Sequence, residues 1–308
     1  MRKIIISGAT GAIGTALTRH LLEAGDEVLI LARRGGRIDR IPQHPRLSVK
    51  FCELHELATL ENDTGRDFDV FYHFAWAGTS GAARNDTALQ TDNIRFALDA
   101  VALAARFGCH TFIGAGSQAE YGRFEGALTP TTPTFPETGY GIAKLAAGAL
   151  TRMKAKELGL RHIWVRILSV YGVFDGENSM VVSTIRKLLA GVRPSFTKGE
   201  QLWDYLFADD AAAALSLLAD KGGDGAVYVL GSGKAAPLAT YIEEIFRQAA
   251  PTLTPVFGEV PYAERQVMHL CADTSALERD TGWQPTTPFS EGIAKTIAWL
   301  KDNAKENG

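Results

Sequence analysis

The chain has little of what marks several protein classes. Its three cysteines, Cys52, Cys109 and Cys271, are odd in number and far apart. A disulfide scaffold needs dense, paired cysteines, so that class is excluded, and free thiols in a reducing cytosol are expected. Positive charge is not in excess, since 32 basic residues against 35 acidic ones leave a formal charge of −3. Nucleic acid and anionic membranes both call for a basic stripe, so neither is an expected partner. No apolar run approaches the roughly 18 residues of a transmembrane helix. Only Ile4, Ile5 and Ile6 separate Lys3 from Ser7, too short for a signal-peptide core. The seven histidines show no metal-ligand spacing and no C-x-x-C occurs, so no metal is expected. A soluble, cytoplasmic protein is the expectation.

What is present is an ordinary globular composition. Hydrophobic residues make up 46% and charged residues 22% of 308, which excludes disorder and collagen-like fibres. Short β-branched runs at Ile4–Ser7, Val28–Leu31, Leu47–Phe51, Val70–Phe74, Thr111–Gly114 and Ile163–Val170 read as strands buried on both faces. Between them lie helical patterns at Ala12–Ala24, Thr87–Phe107 and Tyr140–Leu158. This alternation predicts an α/β fold, a doubly wound parallel sheet over residues 1–172. Residues 173–308 read as a smaller mixed subdomain whose chain crosses back to the sheet. Its helices are expected at Met180–Ala190, Asp209–Ala219, Leu238–Gln248 and Glu291–Lys301, with a strand at Ala226–Leu230. Asp209-Asp210 reads as a helix cap. Small residues nearly encircle the helices Thr87–Phe107 and Tyr140–Leu158, which predicts either tight packing on the sheet or a helix–helix homodimer interface, the latter slightly favoured.

Directly after the first strand come Gly8, Thr10, Gly11, Ala12, Ile13 and Gly14 in a G-x-x-G-x-x-G loop that opens a helix. Glycines there permit a tight turn and close approach to a pyrophosphate, which the free N–H groups of the helix terminus then face. A nucleotide-binding role is expected. The second strand ends Ala32-Arg33-Arg34. An NAD site usually carries an acid here for the ribose hydroxyls. Two arginines instead suit a ribose 2′-phosphate, against the alternative of solvated loop charges. NADP(H) is therefore preferred, with NAD(H) as second choice. Tyr140 and Lys144 form Y-x-x-x-K, which puts both on one helix face and predicts that the ammonium lowers the phenol pKa.

Together these residues resemble the extended short-chain dehydrogenase/reductase family of nucleotide-sugar epimerases, dehydratases and reductases. The resemblance spans nearly the whole chain. Besides Gly8–Gly14 it rests on His73-Phe74-Ala75-Trp76, Asn93, Ser117 with Tyr121-Gly122, Tyr140-x-x-x-Lys144, Arg166 with Tyr171-Gly172, and Ala272-Asp273 before Gly282-Trp283-x-Pro285. It implies a Rossmann domain with a smaller C-terminal substrate domain, usually a dimer through a four-helix bundle. It implies Ser117, Tyr140 and Lys144 as the catalytic group and Glu53, with Leu54 beside it, at the adenine. Phe74, Ala75, Trp76, Asn93 and Ile167 are the further cofactor-binding candidates.

The departures narrow the activity. Family dehydratases place acids after the catalytic Ser or Thr, whereas Gln118 and Ala119 stand there and Glu120 falls one position late. Without a placed acid and base, elimination of water loses its proton donor and acceptor. Ser169 replaces an asparagine frequent in epimerases, Trp203-Asp204 stands where Arg-Asp is common, and Met268 falls near a second arginine's place, which Arg265 could fill. Trp76, Gln118, Ser169, Trp203 and Arg265 are the substrate-binding candidates. The expected activity is NADP-dependent reduction of a nucleotide-linked 4-keto-6-deoxy sugar. A 4-epimerase is the alternative within the family, and a non-catalytic dinucleotide sensor the alternative outside it.

Overall fold

The structure, a computed structural model, describes the backbone of residues 1–306 and the side chains of 1–303. In chain order the first part runs β1 (Lys3–Ser7), α1 (Ala12–Glu23), β2 (Glu27–Ala32), β3 (Leu47–Phe51), β4 (Val70–His73), α2 (Thr87–Arg106), β5 (Thr111–Ser117), α3 (Gly139–Glu157) and β6 (Arg161–Ile167). The remainder runs β7 (Ser169–Tyr171), α4 (Met180–Leu189), β8 (Leu202–Phe207), α5 (Ala208–Lys221), β9 (Ala226–Leu230), β10 (Ala235–Pro237), α6 (Leu238–Ala249), α7 (Ser275–Thr281) and α8 (Phe289–Glu306). Seven strands form one parallel sheet in the order β3-β2-β1-β4-β5-β6-β9. The order reverses between β1 and β4, and in such sheets the crevice beyond the strands' carboxyl ends is where ligands bind. A second sheet, β10-β8-β7, lies in the C-terminal part.

Two apolar cores sandwich the large sheet. On one face α1 and α5 cover Ile4, Ile6, Ile30 and Val165, and on the other α2 covers Ile5, Phe71 and Phe112. Ile4, Ile5 and Ile6 are all fully buried, which explains why β1 is an unbroken apolar run rather than an alternating one. The expectation of strands buried on both faces fails at β3, the sheet edge, where Val49 and Phe51 are exposed. Trp164 on β6 fills a niche that only glycines leave open. A Cβ at Gly114, Gly116 or Gly148 would lie 2.3, 2.4 or 2.7 Å from its indole. That niche lets α3 sit close over β5 and β6.

The run Ile163–Val170, expected as one strand, breaks at Leu168. Its N–H bonds to the Leu230 carbonyl, and β7 leaves the large sheet to pair with β8. Beyond residue 172 the chain crosses back twice, α5 packing on α1 and β9 completing the sheet edge beside β6. The rest gathers around its own core of Val181, Ile185, Phe207, Ile242, Phe246 and Ile293. The Asp204 carboxylate, fully buried, accepts from Ser232, Gly233 and Ala272 and ties β8 to both neighbouring loops. Asp209 and Asp210 sit in the first turn of α5 rather than capping it. The first pairs with Arg19 and the second accepts from Thr286 and Thr287.

Candidate active site

A cleft of about 660 Å³ opens at the crevice predicted by the strand order. One wall is the loop after β1. Gly8 has φ +80°, and a Cβ there would meet the Ala75 backbone nitrogen at 2.5 Å. A Cβ on Gly14 would meet the Gly8 carbonyl at 2.5 Å, so the loop closes on itself and on the end of β4. Gly11, the residue before α1, has nothing within 4 Å of such an atom and no side chain caps the helix. The first N–H groups of α1 thus open onto the cleft, where Ala12 and Ile13 also lie. Donors and positive dipole with space in front of them fit a pyrophosphate. Arg40 adds charge there. It donates to the Thr10 carbonyl at 3.2 Å, lines the cleft, and keeps a buried Nε that has no partner among the described residues.

The opposite wall brings Ser117, Gln118, Tyr140 and Lys144 together with Phe74, Trp76 and Ile167. Ser117 ends β5, and Tyr140 and Lys144 lie in the first turns of α3, whose N-terminus Thr138 caps by accepting from the Gly141 N–H. The i, i+4 spacing predicts the ammonium against the phenol, and the structure corrects this. Lys144 Nζ donates to the Ala115 carbonyl at 2.7 Å and sits 3.7 Å from the Trp76 ring centroid, against 5.7 Å for that of Tyr140. Burial brings the Lys144 pKa down to about 7. Burial likewise pushes the Tyr140 phenol up, opposed by the Ser117 hydroxyl and then by Arg84. The cation over the Tyr140 ring is Arg84, 4.3 Å from its centroid.

The loop carrying Trp76 and Arg84 is braced from α2. Gln90 accepts from the Trp76 indole and donates to the carbonyls of Gly78 and Ala83. Asn93, expected at the cofactor, instead clamps the N–H and carbonyl of Ala77 and does not line the cleft. Glu120 likewise does not line the cleft but lies directly beneath Ser117. Fully buried, it accepts from the Ser117 N–H and the Trp164 indole on one oxygen and from Arg166 at 2.7 Å on the other. One residue of displacement from the dehydratase position turns this carboxylate under the site instead of into it.

Other expected positions disperse. Arg34 is engaged by Glu56, and Glu53 accepts from the Arg34 N–H, and neither is among the residues lining the cleft. Leu54 packs on the core beneath them. Arg33 is exposed, and among the described residues its guanidinium has no partner. Ala75 underlies Gly8, and Thr10 offers its carbonyl to Arg40. Ser169 accepts from the Trp203 indole at 2.8 Å, which joins β7 to β8 away from the cleft lining. Arg265 is exposed outside it. The motifs gave no notice of Arg40, Arg84, Phe174 or Asp175, all of which line the cleft. Phe174 takes φ +64°, rare for such a residue, and lies between Arg40 and Trp299. Among the described residues no cluster could hold a metal and no helix is long and apolar enough to cross a membrane.

Comparison with known proteins agrees with this architecture. A family model described as "NAD dependent epimerase/dehydratase family" matches residues 4–231. A dTDP-glucose 4,6-dehydratase of Streptomyces antibioticus is 25% identical over 97% of this chain and 92% of its own length. Among solved structures, a UDP-N-acetylglucosamine 4-epimerase from Methanobrevibacter ruminantium superposes with a TM-score of 0.88 at 20% identity, covering 98% of this chain and 99% of that one. A dTDP-glucose 4,6-dehydratase from Bacillus anthracis in complex with NAD gives 0.83 at 19%, covering 99% and 98%. A glycine-walled crevice at the β1/β4 reversal, facing a serine, a tyrosine and a lysine, is thus accompanied by a match over most of the chain, and the protein belongs to the NAD-dependent epimerase/dehydratase family.

Proposed function

We propose that the chain is an NADP-dependent reductase of a nucleotide-linked 4-keto-6-deoxy sugar. The observation that supports this reading is that no unengaged carboxylate stands beside Ser117 and Tyr140 among the cleft-lining residues. Gln118 lines the cleft with a buried amide oxygen that has no partner among the described residues, ready to accept from a sugar hydroxyl. The nearest acid in sequence, Glu120, is spent on Arg166 and Trp164. Asp175, the one carboxylate among the cleft-lining residues, accepts from Gly176 and Ser179. Removal of water needs a free acid or base beside the sugar, and reduction does not.

Gly8, Gly11 and Gly14 would hold the pyrophosphate of a nicotinamide dinucleotide, which when bound would supply the hydride for the carbonyl carbon. Tyr140 gives its phenolic proton to the carbonyl oxygen as charge develops on it. The Ser117 hydroxyl, which already accepts from the Ala119 N–H, donates to the same oxygen. Lys144, held at the Ala115 carbonyl, is within the same pocket to bind the nicotinamide ribose. Preference for NADP(H) is supported by Ala32 at the end of β2, where no acid meets the ribose, and by the free Arg33. Assembly as a homodimer through α2 and α3 is supported by exposed Ile142, Leu150 and Met153 on α3. The small residues themselves are used within the chain, Ala97 of α2 packing with Ala147 of α3 around Trp164.

The test mixes the protein with NADPH and a panel of nucleotide-linked 4-keto-6-deoxy sugars and follows the nicotinamide absorbance, with sedimentation of the same sample expected to give a dimer. Loss of absorbance matched by deoxysugar formation is the expected result. Interconversion of 4-hydroxyl epimers with no net change makes the protein an epimerase. Cofactor binding with no turnover of any sugar makes it a sensor.

A further inference from the structure

Arg84 belongs to none of the motifs, yet its surroundings are built around one contact. It sits in the short 3₁₀ segment Gly81–Asn85, between β4 and α2. Its guanidinium lies 4.3 Å from the centroid of the Tyr140 ring and donates to the Thr79 carbonyl at 2.9 Å. The next residue anchors the same segment to the start of the same helix, since Asn85 Oδ1 accepts from the Gly139 N–H at 3.0 Å. Gly139 is tight there, a Cβ meeting the Arg84 carbonyl at 3.1 Å. Behind the segment, Gln90 holds the Ala83 carbonyl and the Trp76 indole, whose ring crosses that of Tyr140 at 83° with the centroids 6.1 Å apart. Two cations therefore stand over two crossed rings, Lys144 over Trp76 and Arg84 over Tyr140.

We propose that Arg84 is the positioning residue of Tyr140: fastened to Thr79 and to the head of α3, it fixes the ring in the cleft and supplies the positive charge that favours the phenolate. The inference rests on the reading of Tyr140 as the proton donor. A guanidinium on an aromatic face gains both from the ring's quadrupole and, once the proton has left, from direct attraction. The other groups facing the phenol do not take over this part. Lys144, from its own helix, is turned to Ala115 and Trp76. Ser117, from the end of β5, offers a neutral hydroxyl. Glu120, from the turn that follows, opposes ionisation but is paired with Arg166. Trp76 is neutral. The direction of each influence on the phenol agrees, with burial and Glu120 raising its pKa and Ser117 and Arg84 lowering it.

A fluorinated tyrosine placed at position 140 by stop-codon suppression lowers the phenol's pKa, and its ¹⁹F shift across a pH series reads ionisation in the full chain without cofactor or substrate. Arg84→Met is expected to raise the midpoint by about one unit, the lower end for an opposite charge this close. Arg84→Lys, which restores a cation, is expected to recover most of that shift. Equal midpoints in the parent and Arg84→Met, or a shift that Arg84→Lys does not recover at all, overturn the proposal. Because the readout needs no turnover, a failed titration with a working keto-sugar assay sinks the role of Arg84 alone. A titration that behaves as expected beside an inactive enzyme leaves that role standing and removes the reductase reading.

Discussion

The two walls of the cleft are made of different material. The glycine wall is one contiguous stretch, residues 8–14, and presents backbone: N–H groups, a helix terminus and, at Gly8 and Gly14, positions where no Cβ fits. The facing wall presents side chains from five separate segments, with Trp76 and Arg84, Ser117 and Gln118, Tyr140 and Lys144, Ile167 and Leu168, and Phe174 and Asp175. Two of these are braced from outside the cleft, by Gln90 and Asn93 behind the Trp76 loop and by the Glu120–Trp164–Arg166 group beneath Ser117. A backbone seat recognises what every dinucleotide shares, the charge of its phosphates. On the proposed function, choice of substrate and movement of protons fall to the side chains of the facing wall.

The sharpest way to break this contrast is to add single methyl groups to the backbone wall. Gly14→Ala drives a Cβ into the Gly8 carbonyl and Ala9 Cα at 2.5 and 2.6 Å, both backbone atoms that cannot swing aside. Overpacking of this kind costs about 1–3 kcal/mol, so a lower denaturant midpoint and weaker dinucleotide binding are expected together. Gly11→Ala faces open space. Its stability should stay within about 0.5 kcal/mol of the parent while binding still weakens, because the methyl enters the seat itself. Unchanged stability in Gly14→Ala contradicts the tight backbone wall.

A smaller effect sharpens the contrast at the far end of the cofactor. Arg33 is the guanidinium left free when Glu56 engages Arg34. One charge-assisted contact to a 2′-phosphate is worth about 1.5–3 kcal/mol, or roughly one to two decades in affinity. NADPH is expected to bind more tightly than NADH in calorimetry, with Arg33→Asp abolishing the difference. Equal affinities in the parent chain remove the NADP preference.

The contrast also explains what the sequence made legible. A backbone wall is contiguous, so G-x-x-G-x-x-G after an apolar run announces it, and the strand and helix periods around it announce the sheet. Tyr140 and Lys144 are legible because a helix converts a spacing of four into a shared face. Arg84 lies in a loop with no period, and only the fold carries it to Tyr140. The direction of Glu120 is settled by Trp164 and Arg166, which arrive 44 and 46 residues later. Arg33 and Arg34 look equivalent in sequence, and the difference is the Glu56 carboxylate reaching back 22 residues. β7 was hidden in the apolar run of β6 because its departure depends on β8, a pairing partner more than thirty residues on.

Replacing Tyr140 by Phe tests most directly whether one wall holds the cofactor and the other does the chemistry. The ring and its contacts with Trp76 and Arg84 are retained, and only the phenolic proton is lost. Keto-sugar reduction by Tyr140→Phe is expected to fall about 10²–10⁴-fold, with the dissociation constant for NADPH unchanged. Turnover near the parent rate, or a loss of cofactor affinity as large as the loss of rate, contradicts the division.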